Sequence, residues 1–107
     1  MKFLNLTPHA INVEVQTGDF PLCIPPSGIL PRVKTETRTV GETDGIRLTS
    51  TEAYEIVDLV PEEEGVMLIV SAMVRTAAPE RKDLVSPSGL TRDAAGRVTG
   101  CTGFDIN

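Results

Sequence analysis

The sequence predicts an α+β fold that is mainly β, with a small antiparallel or mixed sheet and one short helix at residues 71–78. The chain has one Tyr, three Phe and no Trp, so its core must be mostly Val, Ile, Leu and Met, of which Val and Ile favour strands. Eight Pro and nine Gly indicate short elements joined by turns. The apolar run at residues 67–70 is followed directly by Ser71 and a helix-favouring stretch.

A length of 107 residues predicts a single domain over residues 1–107. The net charge of −5 argues against a general nucleic-acid binder, which needs a basic surface. Cys23 and Cys101 have no metal-ligand spacing, and residues 62–64 are interpreted as a solvated acidic turn, so no metal and no cofactor are expected. With no secretory signal or membrane-spanning run, we expect a cytoplasmic protein with reduced thiols.

The N-terminal part is predicted to be extended. Strands are expected at residues 2–6, 10–15 and 20–24, with Pro8 separating the first two. Strict apolar alternation at Ile11, Val13 and Val15 predicts that these face the core. A turn at residues 16–19 predicts that the second and third strands form an antiparallel hairpin. Another turn is expected at residues 25–28.

The middle of the chain is polar. Residues 29–40 are the longest extended candidate, with Val33 and alternate threonines on one face and charges on the other, which is typical of a protected edge strand. A loop at 41–45 and a short strand at 46–48 follow. Residues 49–52 also resemble a helix capping pattern, but the β-formers after them favour a strand at 53–59. That strand is predicted to pair with 66–70 as a hairpin beneath the helix.

Residues 67–70 predict a short buried strand, Ser71 a helix N-cap and Pro79 the end of the helix. A strand that passes through serine into a helix leaves free N–H groups that favour an anion. In the tail, turns are expected at 86–89 and 93–97, the second joining two short strands. Gly100 and Gly103 indicate a weak strand, a bulge or a close approach.

Ser71 and Arg75 are the first candidate ligand residues, because one turn of helix puts them on one face, where they could hold phosphate or carboxylate. The alternative is that Ser71 only caps and Arg75 is a surface residue. Half of the ten basic residues lie in the C-terminal third of this acidic chain, which favours an anionic ligand. They are Arg75, Arg81, Lys82, Arg92 and Arg97.

His9 is the single histidine, and is either a general base or ligand donor or a turn residue. Asn5 and Thr7 are expected to brace the same turn or to supply polar contacts. Asp83 is expected either to pair with Arg81 or Arg92 or to take part in a site. The usual nucleotide, metalloprotease and serine-hydrolase motifs are not found in the sequence.

The phrase Asn5-Leu6-Thr7-Pro8-His9, the junction at 70–74 and the segment 81–97 resemble small uncharacterised proteins of tailed phages and actinobacterial genomes. Those proteins open with the same Asn-Leu-Thr-Pro-His phrase. The resemblance implies a phage or prophage setting, and residues 16–65 carry little of it. Small phage proteins often act by binding host molecules, and some sequester nucleotide signals of bacterial immunity.

The leading hypothesis is a non-catalytic protein that binds a small anionic ligand, such as a nucleotide or nucleotide-derived immune signal, in the host cytoplasm. Ser71 and Arg75 would hold phosphate, Arg92 or Arg97 would neutralise charge, and Asn5, Thr7 or His9 would add polar contacts. So short a domain is compatible with a homo-oligomer that shares a pocket between subunits. The alternatives are a protein-interaction module, as a host inhibitor or minor virion component, and a nucleotide hydrolase using His9 with Asp83 or Asp93.

Overall fold

The computed structural model describes residues 2–16, 18 and 20–107 and has an α+β fold that is mainly β. Thr17 and Asp19 of the expected turn lie outside the described residues. The elements in chain order are β1 Lys2–Asn5, β2 Ile11–Val13, β3 Leu22–Ile24, β4 Arg32–Thr43, β5 Ile46–Val57, β6 Val66–Ile69, α1 Ala72–Ala77, β7 Leu84–Arg92 and β8 Val98–Ile106.

Six of the strands form one mixed sheet in the order β1-β6-β7-β8-β2-β3. β6 runs parallel to both β1 and β7, whereas β7 and β8 form an antiparallel hairpin. β2 pairs with β3 as the predicted antiparallel hairpin and joins β8 in parallel. The sheet curls so that its edge strands, β1 and β3, approach each other. Asn5 at the end of β1 forms a β-bridge with Pro26, and the backbone carbonyl of Asn5 accepts a 2.9 Å hydrogen bond from the Ser27 N–H.

The core has two parts, one on each face of this curled sheet. Every strand of the sheet contributes to the inner cluster, which comprises Val13, Ile24, Ile69, Val85 and Cys101 with Phe3, Ile11, Met67 and Phe104 packed against it. The outer cluster lies beneath the helix and includes Leu68, Val70, Val74 and Leu84. Because successive residues of β6 enter opposite clusters, both of its faces are buried, which explains its unbroken apolar sequence.

The predicted helix is confirmed as α1. The Ser71 hydroxyl accepts a 3.3 Å hydrogen bond from the Val74 N–H, and the Ala78 cap N–H donates to the Arg75 carbonyl. Val74 and Ala78 are buried in the outer cluster. Among the residues described, no helix has the length and hydropathy needed to cross a membrane.

β4 and β5 form a separate two-stranded antiparallel ribbon, which we call the arm (residues 32–57). Asp44 and Gly45, with φ of 51° and 78°, make its tight turn, as expected for an Asp-Gly hairpin. Val33 and Ile56 anchor its base on the outer cluster. The radius of gyration of 16.9 Å exceeds the roughly 13 Å of a compact chain this long, because the arm projects.

Several sequence predictions about elements are wrong. The loop at 41–45 is mostly strand, and residues 46–48 and 53–57 belong to the continuous strand β5. β5 pairs with β4, so the predicted hairpin of 53–59 with 66–70 does not form. The expected turn at 86–89 lies inside β7. At these places, strand pairing outweighs the local preference of the residues for turns.

Candidate ligand-binding cavity

The turn that follows β1 is fixed by one buried side chain, that of Asn5. Its amide nitrogen donates to the carbonyls of His9 at 2.8 Å and Ile24 at 3.0 Å. Its amide oxygen accepts from the Thr7 N–H at 2.9 Å and the Thr7 hydroxyl at 2.6 Å. These bonds use both donors and both lone pairs of a carboxamide. Asn5 therefore positions the turn and has no group left for a ligand.

The turn forms one wall of a cavity of about 340 Å³ between β2 and the β7–β8 hairpin. Its lining is mainly aliphatic, with a few polar groups from Thr7, His9, Asn12 and Thr99. The remaining lining residues are Ala10, Ile11, Pro87, Leu90, Val98, Gly100 and Cys101. Mostly apolar walls with a few placed polar groups are typical of small-molecule sites.

Gly100 sets the spacing of the strands beneath this cavity. A Cβ atom at Gly100 would lie 2.6 Å from the carbonyl oxygen of Asn12, which is closer than non-bonded atoms approach. The Asn12 amide donates across the same gap to the Thr99 carbonyl at 3.3 Å. Of the alternatives given for the two glycines, a close approach is present at Gly100, whereas a Cβ at Gly103 would make only an ordinary 3.7 Å contact with the Ser88 hydroxyl.

Cys101 lies at the floor and is buried. Burial raises the pKa of its thiol above the usual range, because a thiolate would lose its hydration there. The thiol therefore remains protonated at neutral pH, so Cys101 serves as an apolar surface and is not an activated nucleophile.

Ser71 and Arg75 lie outside the cavity, in a hydrogen-bond network at the helix. The Ser71 hydroxyl is engaged in capping. The half-buried Arg75 guanidinium donates to the Ser86 hydroxyl at 2.8 Å and to the Asn107 side-chain oxygen at 3.2 Å. The Asn107 amide in turn donates to the carbonyls of Arg75, Ala78 and Arg81. This network joins the helix to the last residue of the chain, and neither Ser71 nor Arg75 lines the cavity.

Asp83 is also engaged within the chain. Its two carboxylate oxygens accept from Arg81 at 2.9 and 2.8 Å, and the same guanidinium donates to the Val60 carbonyl at 3.0 Å. Asp83 is only 7% exposed. The hydrogen bonds from Arg81 lower the pKa of the Asp83 carboxyl despite the opposing effect of burial. The expected Asp83–Arg81 ion pair is therefore confirmed, and Arg81 links Val60 to the segment that precedes β7.

Arg92 and Arg97 are both exposed, at the tip of the β7–β8 hairpin. Arg92 lies opposite Val98, a cavity residue, and Arg97 directly precedes it in the chain. The Arg92 guanidinium donates to the Gly96 carbonyl at 2.9 Å. The Asp93 carboxylate accepts from the Ala95 and Arg97 N–H groups, which fixes the predicted tight loop.

Of the sequence-predicted residues, only Thr7 and His9 line the cavity, with Asn5 behind them and Arg92 and Arg97 beside its Val98 wall. Ser71, Arg75 and Asp83 do not join this group. Sequence reasoning missed the walls formed by Leu90, Val98 and Thr99. The only sequence signal near these walls is Gly100, for which a close approach is one of three alternatives.

Comparison of the chain with protein-family models, with curated proteins and with solved structures gives no match.

Proposed function

We propose that this protein binds a small anionic ligand, a nucleotide or nucleotide-derived signal, and does not alter it chemically. The observation that carries the proposal is the cavity whose wall contains Thr7 and His9 and whose shape depends on Asn5. At about 340 Å³ it lies at the small end of ligand sites. That size suits one planar ring system better than a whole nucleotide.

In this proposal the base occupies the cavity and the phosphate lies outside it. The aliphatic walls at Leu90 and Val98 cover the faces of the ring, and the polar groups of Thr7 and His9 meet its edge. Arg92 and Arg97, beside Val98, neutralise the phosphate, since guanidinium groups bind phosphate oxygens in pairs.

The cavity composition argues against hydrolysis. Among the described residues that line it, there is one imidazole and one protonated thiol but no carboxylate. Asp83 and Asp93, the partners considered for His9, are bound to Arg81 and to the hairpin loop. A general acid or base must lie within reach of the proton that it transfers, and His9 has neither of these carboxylates beside it as a partner. We therefore propose sequestration, in keeping with a phage protein that removes a host defence signal in the host cytoplasm.

Isothermal titration calorimetry with the full chain tests this proposal against nucleosides, inorganic phosphate and mono-, di- and cyclic nucleotides. We expect binding of a nucleotide, weaker binding of its nucleoside and none of phosphate alone. Val98→Trp should abolish binding by filling the cavity, and Arg97→Ala should weaken it about tenfold by removing one charged hydrogen bond. Arg47→Ala, which removes an exposed arginine of the arm, is the matched control and should have no effect.

The ligand recovered after denaturation should be chemically unchanged. Chemical conversion of the ligand that depends on His9 would instead favour the hydrolase. No binding across the panel, or binding that Val98→Trp leaves intact, would contradict the proposal.

A further inference from the structure

Ligand binding does not explain the arm. Each of its strands has 12 residues, a length of about 40 Å, and only its base is anchored in the core. A two-stranded ribbon is marginally stable in water on its own. In the described structure its sheet contains β4 and β5 alone, so the outer edge of each strand presents unpaired N–H and C=O groups that can accept another strand.

The regular part of β4 has the symmetry that self-pairing requires. Irregularities in the ladder occur between Lys34 and Thr35 and again between Thr39 and Gly41. Between them lies Thr-Glu-Thr-Arg-Thr, residues 35–39. Side chains alternate along a strand, so the three threonines share one face, and Glu36 and Arg38 share the other. Opposite charges at equal distances from Thr37 make the segment self-complementary about a two-fold axis.

Within one chain, Glu36 has an unfavourable neighbour. It lies directly opposite Glu52 in the ladder, and like charges in that position are destabilising. Arg38 contacts Glu52 at 3.6 Å. Among the described residues no salt bridge includes Glu36. A second cation beside Glu36 and Glu52 would therefore stabilise this face of the arm.

We propose that β4 pairs antiparallel with β4 of a second copy of this chain, about a two-fold axis at Thr37. Glu36 of each copy then lies opposite Arg38 of the other, and Thr35 lies opposite Thr39. The two arms become one four-stranded sheet with a continuous threonine face. The outer edge of β5 is less suitable, because residues 49–53 carry one charge, Glu52, with no opposite charge to match it.

Charge inversion tests the register. Glu36→Arg places like charges together twice across the two-fold axis, yet puts a favourable arginine opposite Glu52 within each arm. The dimer dissociation constant, measured by sedimentation equilibrium of the full chain, should therefore rise about tenfold, while the arm stays folded. The double variant Glu36→Arg/Arg38→Glu restores both intermolecular pairs and should return the constant to near the wild-type value.

Cysteine cross-linking locates the axis. With Cys23 replaced by Ser, Thr37→Cys should form a disulfide-linked dimer under mild oxidation, because opposed residues of an antiparallel pair have Cα atoms roughly 4.5–5.5 Å apart, which a disulfide spans. Thr51→Cys is the matched control, since Thr51 lies opposite Thr37 on the same face of the arm. It should not cross-link.

Three results would overturn the proposal: a wild-type chain that is monomeric at all concentrations, a double variant as dissociated as the single one, or equal cross-linking at both positions. Each result leaves nucleotide binding by the cavity untested and intact, because the arm contributes no residue to the cavity.

Discussion

Replacing Asn5 with alanine is the most informative single change, because Asn5 fixes the turn that carries Thr7 and His9. The substitution removes four side-chain hydrogen bonds. It also leaves the buried Ile24 carbonyl and the Thr7 N–H without these partners. An unsatisfied buried polar group costs about 1–3 kcal/mol. With Thr7 and His9 half-exposed or exposed and able to bond water, we expect a total loss of about 3 kcal/mol.

Urea denaturation followed by circular dichroism measures this loss. An unchanged slope of unfolding free energy against urea concentration would show that wild type and variant expose comparable surface on unfolding. A loss of about 3 kcal/mol corresponds to a fall in melting temperature of roughly 12–20 °C for a domain this size. Asn12→Ala is the matched control, because Asn12 is exposed and its amide makes a single 3.3 Å bond to Thr99. It should cost less than about 1 kcal/mol. A loss for Asn5→Ala no greater than that of the control would refute the positioning role.

Three further changes separate the structural groups from the cavity. Asp83→Asn should cost about 3 kcal/mol at neutral pH, since it leaves Arg81 without its buried carboxylate partner. Because Arg81 lowers the pKa of Asp83 in the folded state, this stabilisation is present above the usual pKa of aspartate and is lost as pH falls through the lowered value. The difference in unfolding free energy between wild type and variant, measured in urea, should therefore shrink in acid. A difference that stays constant with pH would contradict the ion pair. Gly100→Ala should cost about 1–3 kcal/mol through its clash with Asn12, whereas Gly103→Ala should be near neutral; equal costs would show that strand spacing is not the cause. Ser71→Ala should cost about 1 kcal/mol by removing the helix cap without changing ligand affinity, and a weakened affinity by calorimetry would return Ser71 to the site.

The elements set by local chemistry could be predicted from the sequence. Ser71, the helix-favouring stretch after it and Pro79 act within a few residues of one another, so α1 and its cap were found. The β2–β3 hairpin was found for the same reason, through apolar alternation. The division of the arm is wrong because polar residues interrupt its apolar alternation. Ile46 and Leu48 are separated from Tyr54 and Ile56 by residues 49–52, which resemble a helix cap, and residues 41–45 contain the Gly and Asp residues of a loop.

The candidate site was harder to predict, because its walls come from distant parts of the chain. The parallel pairing of Val13 with Cys101 brings β2 beside β8, and no local pattern indicates that pairing. The prediction for Arg75 rests on helix geometry, which puts it one turn after Ser71 on the same face, and on the concentration of basic residues in the C-terminal third. The actual partners of Arg75 include Asn107, 32 residues away, which helix geometry cannot reveal.

Native mass spectrometry of the full chain purified from a bacterial host tests the central claim most directly. It should detect one small anionic molecule per chain, released unchanged on denaturation and missing from the Val98→Trp variant. A chain that carries no such molecule and gains none from added nucleotides, or a Val98→Trp variant that retains it, would contradict the assignment of ligand binding to this cavity.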